Sequence, residues 1–217
     1  MKNQTMLRSK TGAAWLALAL CGACTPALGA NWIDGRFAGG KYEIDDDIDE
    51  VEAKEAEGFD LRAQFEPDEH VFFRAGYLKS KSDEIEVNDV DVPGDVDFEF
   101  DMLRGGVGLQ GGHGLRYYGV IEYGEAGFDI EGEETEDDGV IASVGLSDDG
   151  NGPLLWNVEA GVVAFDDIEG GVFEATLGYR LNPSVALVAG VQGYRLEDDF
   201  DGELDITHGT LGVRISF

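Results

Sequence analysis

The chain has 217 residues, with 45 acidic against 15 basic side chains and a formal net charge of −30. Such a charge repels a phosphate backbone and excludes nucleic acid as a partner, and the length is that of a single domain. With 32 Gly, 5 Pro and little helical periodicity, the composition leaves an all-β fold.

The N-terminus reads as a secretory leader: Lys2, Arg8 and Lys10, an apolar run over 13–19, then the small-residue site Ala27-Leu28-Gly29. The expected division is a cleaved signal over 1–29 and one barrel domain over 30–217. The apolar run is too short to span a membrane as a helix. Both cysteines, Cys21 and Cys24, lie in the leader, so the mature chain needs no disulfide. Gly22-Ala23-Cys24 resembles the end of a lipobox, but Cys21 stands where that motif wants an aliphatic residue, and an ordinary cleaved leader is the better reading.

Ten segments then alternate with period two, the spacing of a strand's two faces. Residues 32–44 set Ile33 and Phe37 against Asp34 and Arg36, and 58–66 set Phe59, Leu61, Ala63 and Phe65 against Asp60, Arg62 and Gln64. Residues 71–78 set Phe73, Ala75 and Tyr77 against Arg74. Over 96–110 the apolar parity switches, from Phe98, Phe100 and Met102 to Leu103, Val107 and Leu109. A β-bulge near Met102, or a strand leaving the membrane there, would explain the switch. Residues 115–127 set Tyr117, Ile121 and Tyr123 against Arg116 and Glu122, and Val140 to Leu146 mark the sixth strand. Trp156, Val158 and Val162 oppose Asn157 and Glu159; Phe173, Leu177 and Tyr179 oppose Glu174 and Arg180; Val185, Leu187 and Val191 mark the ninth. The last strand sets Leu211, Val213, Ile215 and Phe217 against Thr210, Gly212, Arg214 and Ser216.

Acidic connections over 45–57, 79–95, 128–138, 166–171 and 197–203 follow the odd strands, and tight turns such as Pro67-Asp68-Glu69 and Asn182-Pro183-Ser184 follow the even ones. The final amphipathic strand ending on Phe217 resembles the assembly signal of Gram-negative outer-membrane β-barrel proteins. With the leader and the alternation, the resemblance covers the whole mature chain, to small barrels often labelled porin-like with no assigned substrate. It implies an up-and-down antiparallel transmembrane β-barrel of ten strands, or eight if the hairpin after the seventh is misread, with short periplasmic turns and acidic external loops. It further implies an integral outer-membrane location, recognition of the Phe217 strand by barrel-assembly machinery, and contact with outer-membrane lipid and lipopolysaccharide.

A secreted β-sandwich would alternate as well. Against it, the strand arginines fall on the polar parity while Lys41, Lys54, Lys79 and Lys81 lie at strand ends or in connections. A narrow lumen favours the planar, multidentate guanidinium. Aromatic residues also gather at strand ends, as interfacial girdles require.

The expected lumen set is Asp34, Arg36, Asp60, Arg62, Arg74, Arg104, Arg116, Glu122, Glu159, Glu174, Arg180 and Arg214, with Gln64 and Asn157 beside them. Its near balance of sign suggests an ion-pair network that fills or narrows the lumen. Polar filler that merely holds the barrel is the plainer reading, and a selective pore the sharper one. The acidic connections suit weak, diffuse Ca²⁺ or Mg²⁺, with Asp45, Asp46, Asp47, Asp49, Glu131, Glu133, Glu134, Asp198, Asp199 and Asp201 as candidates. No EF-hand spacing is present, and no resident cofactor is expected. Catalysis is not expected, because His208 with Asp205 and Thr207 lacks a nucleophile and is read as facing the membrane. The functional expectation is a small porin-like channel or structural membrane protein, against a non-conducting surface interaction or adhesion protein, with an outer-membrane hydrolase as a remote third.

Overall fold

The computed structural model describes residues 31–45, 50–88, 90–91, 98–130, 133–148, 152–166, 168–198 and 202–217. The leader therefore lies outside the described residues. Three strands open the chain, β1 (Trp32–Asp45), β2 (Glu50–Phe65) and β3 (Val71–Ser82), followed by the short β4 (Glu84–Val87) and β5 (Val90–Asp91). Seven long strands complete it: β6 (Phe98–Gly111), β7 (Leu115–Ile130), β8 (Glu133–Asp148), β9 (Leu154–Phe165), β10 (Ile168–Asn182), β11 (Val185–Asp198) and β12 (Glu203–Ser216). The ten long strands pair antiparallel in sequence order, β3 passing directly to β6, and β12 pairs with β1 from Trp32↔Ser216 to Asp45↔Glu203. This ring is the expected ten-stranded up-and-down barrel, and closure leaves it without a sheet edge. The eight-stranded alternative falls away. β4 pairs with the far end of β2, Val51↔Val87 to Lys54↔Glu84, and β5 pairs with β4.

The connections at one end are tight. At 66–70 the Asp68 Oδ1 accepts from the backbone N–H groups of His70 and Val71 at 2.7 and 2.8 Å, and Asn182 Oδ1 accepts from Ser184 N at 2.9 Å. These short side-chain-to-backbone bonds are what Asp and Asn supply in turns. At the other end the acidic connections prove shorter than the sequence suggested. β2 begins at Glu50, β7 runs to Ile130 before β8 starts at Glu133, and β10 begins at Ile168. Their charges alternate with inward apolar residues, Ala53 and Ala56 on β2 and Ala126 on β7, so strand pairing continues where charge alone reads as loop.

No bulge lies at Met102. β6 pairs with β3 and β7 without a register shift, and Phe98, Phe100, Met102 and Arg104 all point inward. The parity of β6 never changes; what changes is which face is apolar. A bulge occurs instead on β2, where Lys54 and Glu55 stand opposite Lys41 and Glu55 adopts φ 52°.

This exchange of faces organises the molecule. Toward the tight-turn end the outer surface is apolar, with Leu103, Val107, Leu109, Tyr117, Ile121, Val144, Leu177 and Leu211 among its exposed residues, and the interior is charged. Toward the hairpin end the outer surface carries Glu125, Glu136, Arg195 and Glu197, and the interior is apolar. The first pattern suits lipid outside and a polar lumen, the second suits water outside and a dry core. A 14-residue strand extends ~46 Å, or ~35 Å along a barrel axis to which strands tilt by ~40°. That exceeds an apolar band ~25 Å tall, so the surplus rises above the bilayer as a water-soluble type of barrel.

Candidate functional site

The inward faces of the lower strands form one ion-pair layer. Residues two apart share a wall, so β1 stacks Asp34 below Arg36 and β2 stacks Asp60 below Arg62. Asp34 accepts from Arg214 Nε and Nη2 at 2.6 and 2.7 Å and pairs with Arg36. Arg62 donates to Asp60 at 3.0 Å from Nε and to Gln192 Oε1 at 2.5 Å from Nη2, and its Nη1 reaches Glu174 on β10. Arg36 Nη1 stands 3.8 Å from Glu174 and donates to Thr176 Oγ1 at 3.3 Å.

Arg74 on β3 is clasped by two carboxylates. It donates to Glu122 at 2.5 and 3.1 Å and to Glu159 at 2.6 and 2.8 Å. Arg104 bridges Glu122 and Glu174 at 3.8 and 3.6 Å. Tyr118 OH lies 2.6 Å from Glu159 and 2.7 Å from Asn157. Nearer the turns, Arg116 Nη1 donates to both oxygens of Glu66 at 3.1 Å, Gln64 Nε2 donates to the same carboxylate at 2.8 Å, and Asn31 Oδ1 accepts from Glu66 N at 2.9 Å.

The barrel thus gathers every charged residue of the expected lumen set except Arg180, which stands at the rim and donates to the Gly152 carbonyl at 2.7 Å. Sequence reasoning missed Glu66, Tyr118, Thr176 and Gln192 as members. All four share the inward parity, so counting neutral polar residues and the strand-end Glu66 with the charges would have found them.

Above this layer the lumen is closed by a cap. Tyr42, Phe98, Phe100, Met102, Ile141, Val163, Phe165, Leu196 and Ile206 are buried together, with Tyr42 and Phe98 ring centroids 4.6 Å apart. His208 belongs here and does not face the membrane. It shares the even parity of Thr210 and Arg214, is fully buried, and its Nε2 lies 2.9 Å from Tyr42 OH and 3.1 Å from Ser80 Oγ.

Among the described residues no group of three or more His, Cys, Asp or Glu side chains could hold a metal ion. Of the metal candidates, Asp46, Asp47, Asp49, Glu131, Asp199 and Asp201 lie outside the described residues, as do the side chains of Asp45, Glu133, Glu134 and Asp198.

One cavity of about 60 Å³ remains below the cap, between the ion-pair layer and the turns, with Trp32, Phe72, Leu155 and Trp156 among its walls. Arg214 lies 3.8 Å over the Trp32 ring at its edge.

No family model and no curated relative matches the chain. Among solved structures, the chain is similar to the outer membrane protease OmpT from Escherichia coli, with a TM-score of 0.63 at 10% identity, covering 87% of this chain and 97% of that one. The transport unit of the autotransporter AIDA-I from Escherichia coli scores 0.47 at 13% identity, covering 97% and 99%. The outer membrane protein OprG from Pseudomonas aeruginosa scores 0.44 at 12%, covering 87% and 96%. The last two scores are too low to carry structural weight. At these identities the likeness is one of fold, and the fold is that of the Gram-negative outer-membrane β-barrel proteins.

Proposed function

We propose that this chain is an integral outer-membrane barrel that does not conduct, and that it acts through the acidic hairpins it carries above the bilayer. The observation that carries this reading is the cap. An ion entering from outside meets a dry layer of aromatic and aliphatic side chains, and such a constriction excludes ions by dewetting. Below it, Arg62 and Arg74 tie opposite walls together through Glu174 and Glu159. Of the two functions the sequence left open, the filled lumen favours the structural or interaction protein over the porin-like channel.

The tight-turn end then faces the periplasm, the Phe217 strand carries the assembly signal, and a cleaved leader delivers the chain. Outward carboxylates such as Glu125, Glu136 and Asp138 stand where the apolar belt ends. At that height they meet lipopolysaccharide phosphates, and Ca²⁺ or Mg²⁺ bridges the two anions. Catalysis finds no support, since His208 is sealed beneath the cap and His70 and His113 lie in turns.

Single-channel recording of the refolded barrel in a planar bilayer tests the reading, with folding verified by heat-dependent gel mobility. A silent bilayer is expected. Discrete conductance steps from folded protein would overturn it. Calorimetry with millimolar Ca²⁺ tests the hairpins, and no heat of binding would remove the cation from the proposal.

A further inference from the structure

The ion pairs around the periplasm-side cavity are not symmetrically placed. Arg36, Arg62, Arg74, Arg116 and Arg214 all line it, whereas Asp34, Asp60, Glu122 and Glu159, which neutralise them, do not. Side-chain exposure runs the same way: 27% for Arg116 against 1% for Glu66, 12% for Arg214 against 0% for Asp34, and 8% for Arg74 against 0% for Glu122. In each pair the cation fronts the open space and the anion sits behind it. Overall balance of charge therefore coexists with a positive potential inside the cavity, because the nearer charge dominates where water is scarce. Arg36, 4% exposed, lines the same space and keeps its Nε without a hydrogen-bond partner.

We propose that this cavity is a blind binding site, open to the periplasm, for a small oxyanion. Guanidinium groups already held in place by buried carboxylates present planar N–H donors without further ordering, which suits carboxylate or phosphate oxygens. The volume of about 60 Å³ is room for on the order of two to four waters, so the ligand has only a few heavy atoms: inorganic phosphate, or a short carboxylate such as acetate. Trp32 and Trp156 supply an apolar rim that strengthens the polar contacts by excluding water. The site is independent of whether the barrel conducts, since it is reached from the turn end alone.

The barrel carries its own reporters. Of the three tryptophans, Trp15 belongs to the leader, and Trp32 and Trp156 both line the cavity. The refolded barrel is titrated with phosphate and, separately, with acetate at constant ionic strength, with chloride as the control, read by tryptophan fluorescence and by calorimetry. A saturable response to either oxyanion and none to chloride is expected, and the anion that saturates at lower concentration identifies the class. Arg116→Gln should weaken the response at least tenfold. Should that variant fail to fold because Glu66 loses its partner, Asn157→Asp puts a carboxylate in the cavity wall without removing an ion pair and should weaken it equally. An equal response to chloride, no saturable response to either oxyanion, or an Asn157→Asp titration matching the parent would overturn the proposal.

Discussion

Arg74 on β3 donates to both carboxylate oxygens of Glu159 on β9, at 2.6 and 2.8 Å, across the lumen and not along its wall. Around the ring β3 and β9 are separated by β6, β7 and β8, so this pair braces the barrel much as a spoke braces a wheel. Both side chains are nearly inaccessible, 8% and 3% exposed. Removing one partner leaves an uncompensated charge, so Arg74→Ala should destabilise the barrel by ~3–5 kcal/mol. Replacing Arg74 and Glu159 together by Met and Leu should recover most of that loss, because two desolvated charges leave at once. Urea midpoints of the refolded variants in detergent check both. A double variant no more stable than Arg74→Ala would mean that Glu122, still facing the site, sets the cost.

Close strand approach gives a second expectation, at Gly212 on β12. A Cβ there would run into the β1 backbone, with Arg36 Cα at 2.6 Å and the Gly35 carbonyl oxygen nearer still. Backbone cannot swing aside as a flexible side chain can, so Gly212→Ala should cost ~1–3 kcal/mol and slow closure of the β1–β12 seam. Gly209 on the same strand points outward and a Cβ there meets nothing nearer than 3.7 Å. Gly209→Ala is the matched control and should fold like the parent, judged by the rate at which the heat-resistant band appears on gels.

The strand count was legible because local chemistry marks it: Pro67-Asp68 and Asn182-Pro183 permit few conformations other than turns. The lumen charges were legible too, since period two assigns Asp60, Arg62 and Arg74 to one face before any partner is known. Partners were not, because Arg62 meets Glu174 only through ring order and stagger, which no local pattern encodes. The cap was misread for a different reason. Phe98, Phe100 and Met102 stand on the same parity as Arg104, and apolar residues on that parity looked like a bulge while lipid was assumed outside along the full strand. The signal was present in the switch itself: once Glu99 and Asp101 take the outer face, the strand has left the bilayer.

The turn after β2 contributes a pH dependence of known sign. Backbone donation from His70, then from Val71, holds the Asp68 carboxyl below the usual carboxylate range. A folded value lower than the unfolded one means that stabilisation is complete above the unfolded value of ~3.9 and fades as pH falls through the folded value. Asp68→Ala should therefore unfold at lower urea than the parent at neutral pH, and the two should converge toward pH ~2, where both turns lack the carboxylate. A gap that stays constant over that range would assign the effect to turn geometry and not to charge.

The exchange of apolar and charged faces makes the last expectation depend on height along one hairpin. Val107 on β6 is 47% exposed within the apolar belt, and Glu125 on β7 is exposed above it. If lipid surrounds the lower zone and water the upper, equal changes of polarity at the two heights should have unequal consequences. Val107→Lys should cost ~2–4 kcal/mol, the penalty for a basic group near the bilayer midplane. Glu125→Leu should stay within about 0.5 kcal/mol, as an isolated surface change does, and should leave detergent-resistant folding intact. Folding of both variants into vesicles of short-chain and longer-chain phosphatidylcholine locates the boundary, since a thicker bilayer brings lipid nearer Glu125 and should make the leucine favourable there. Equal penalties at the two positions would mean that the belt reaches higher than Leu103 and Tyr123, and that the apolar cap lies within the membrane.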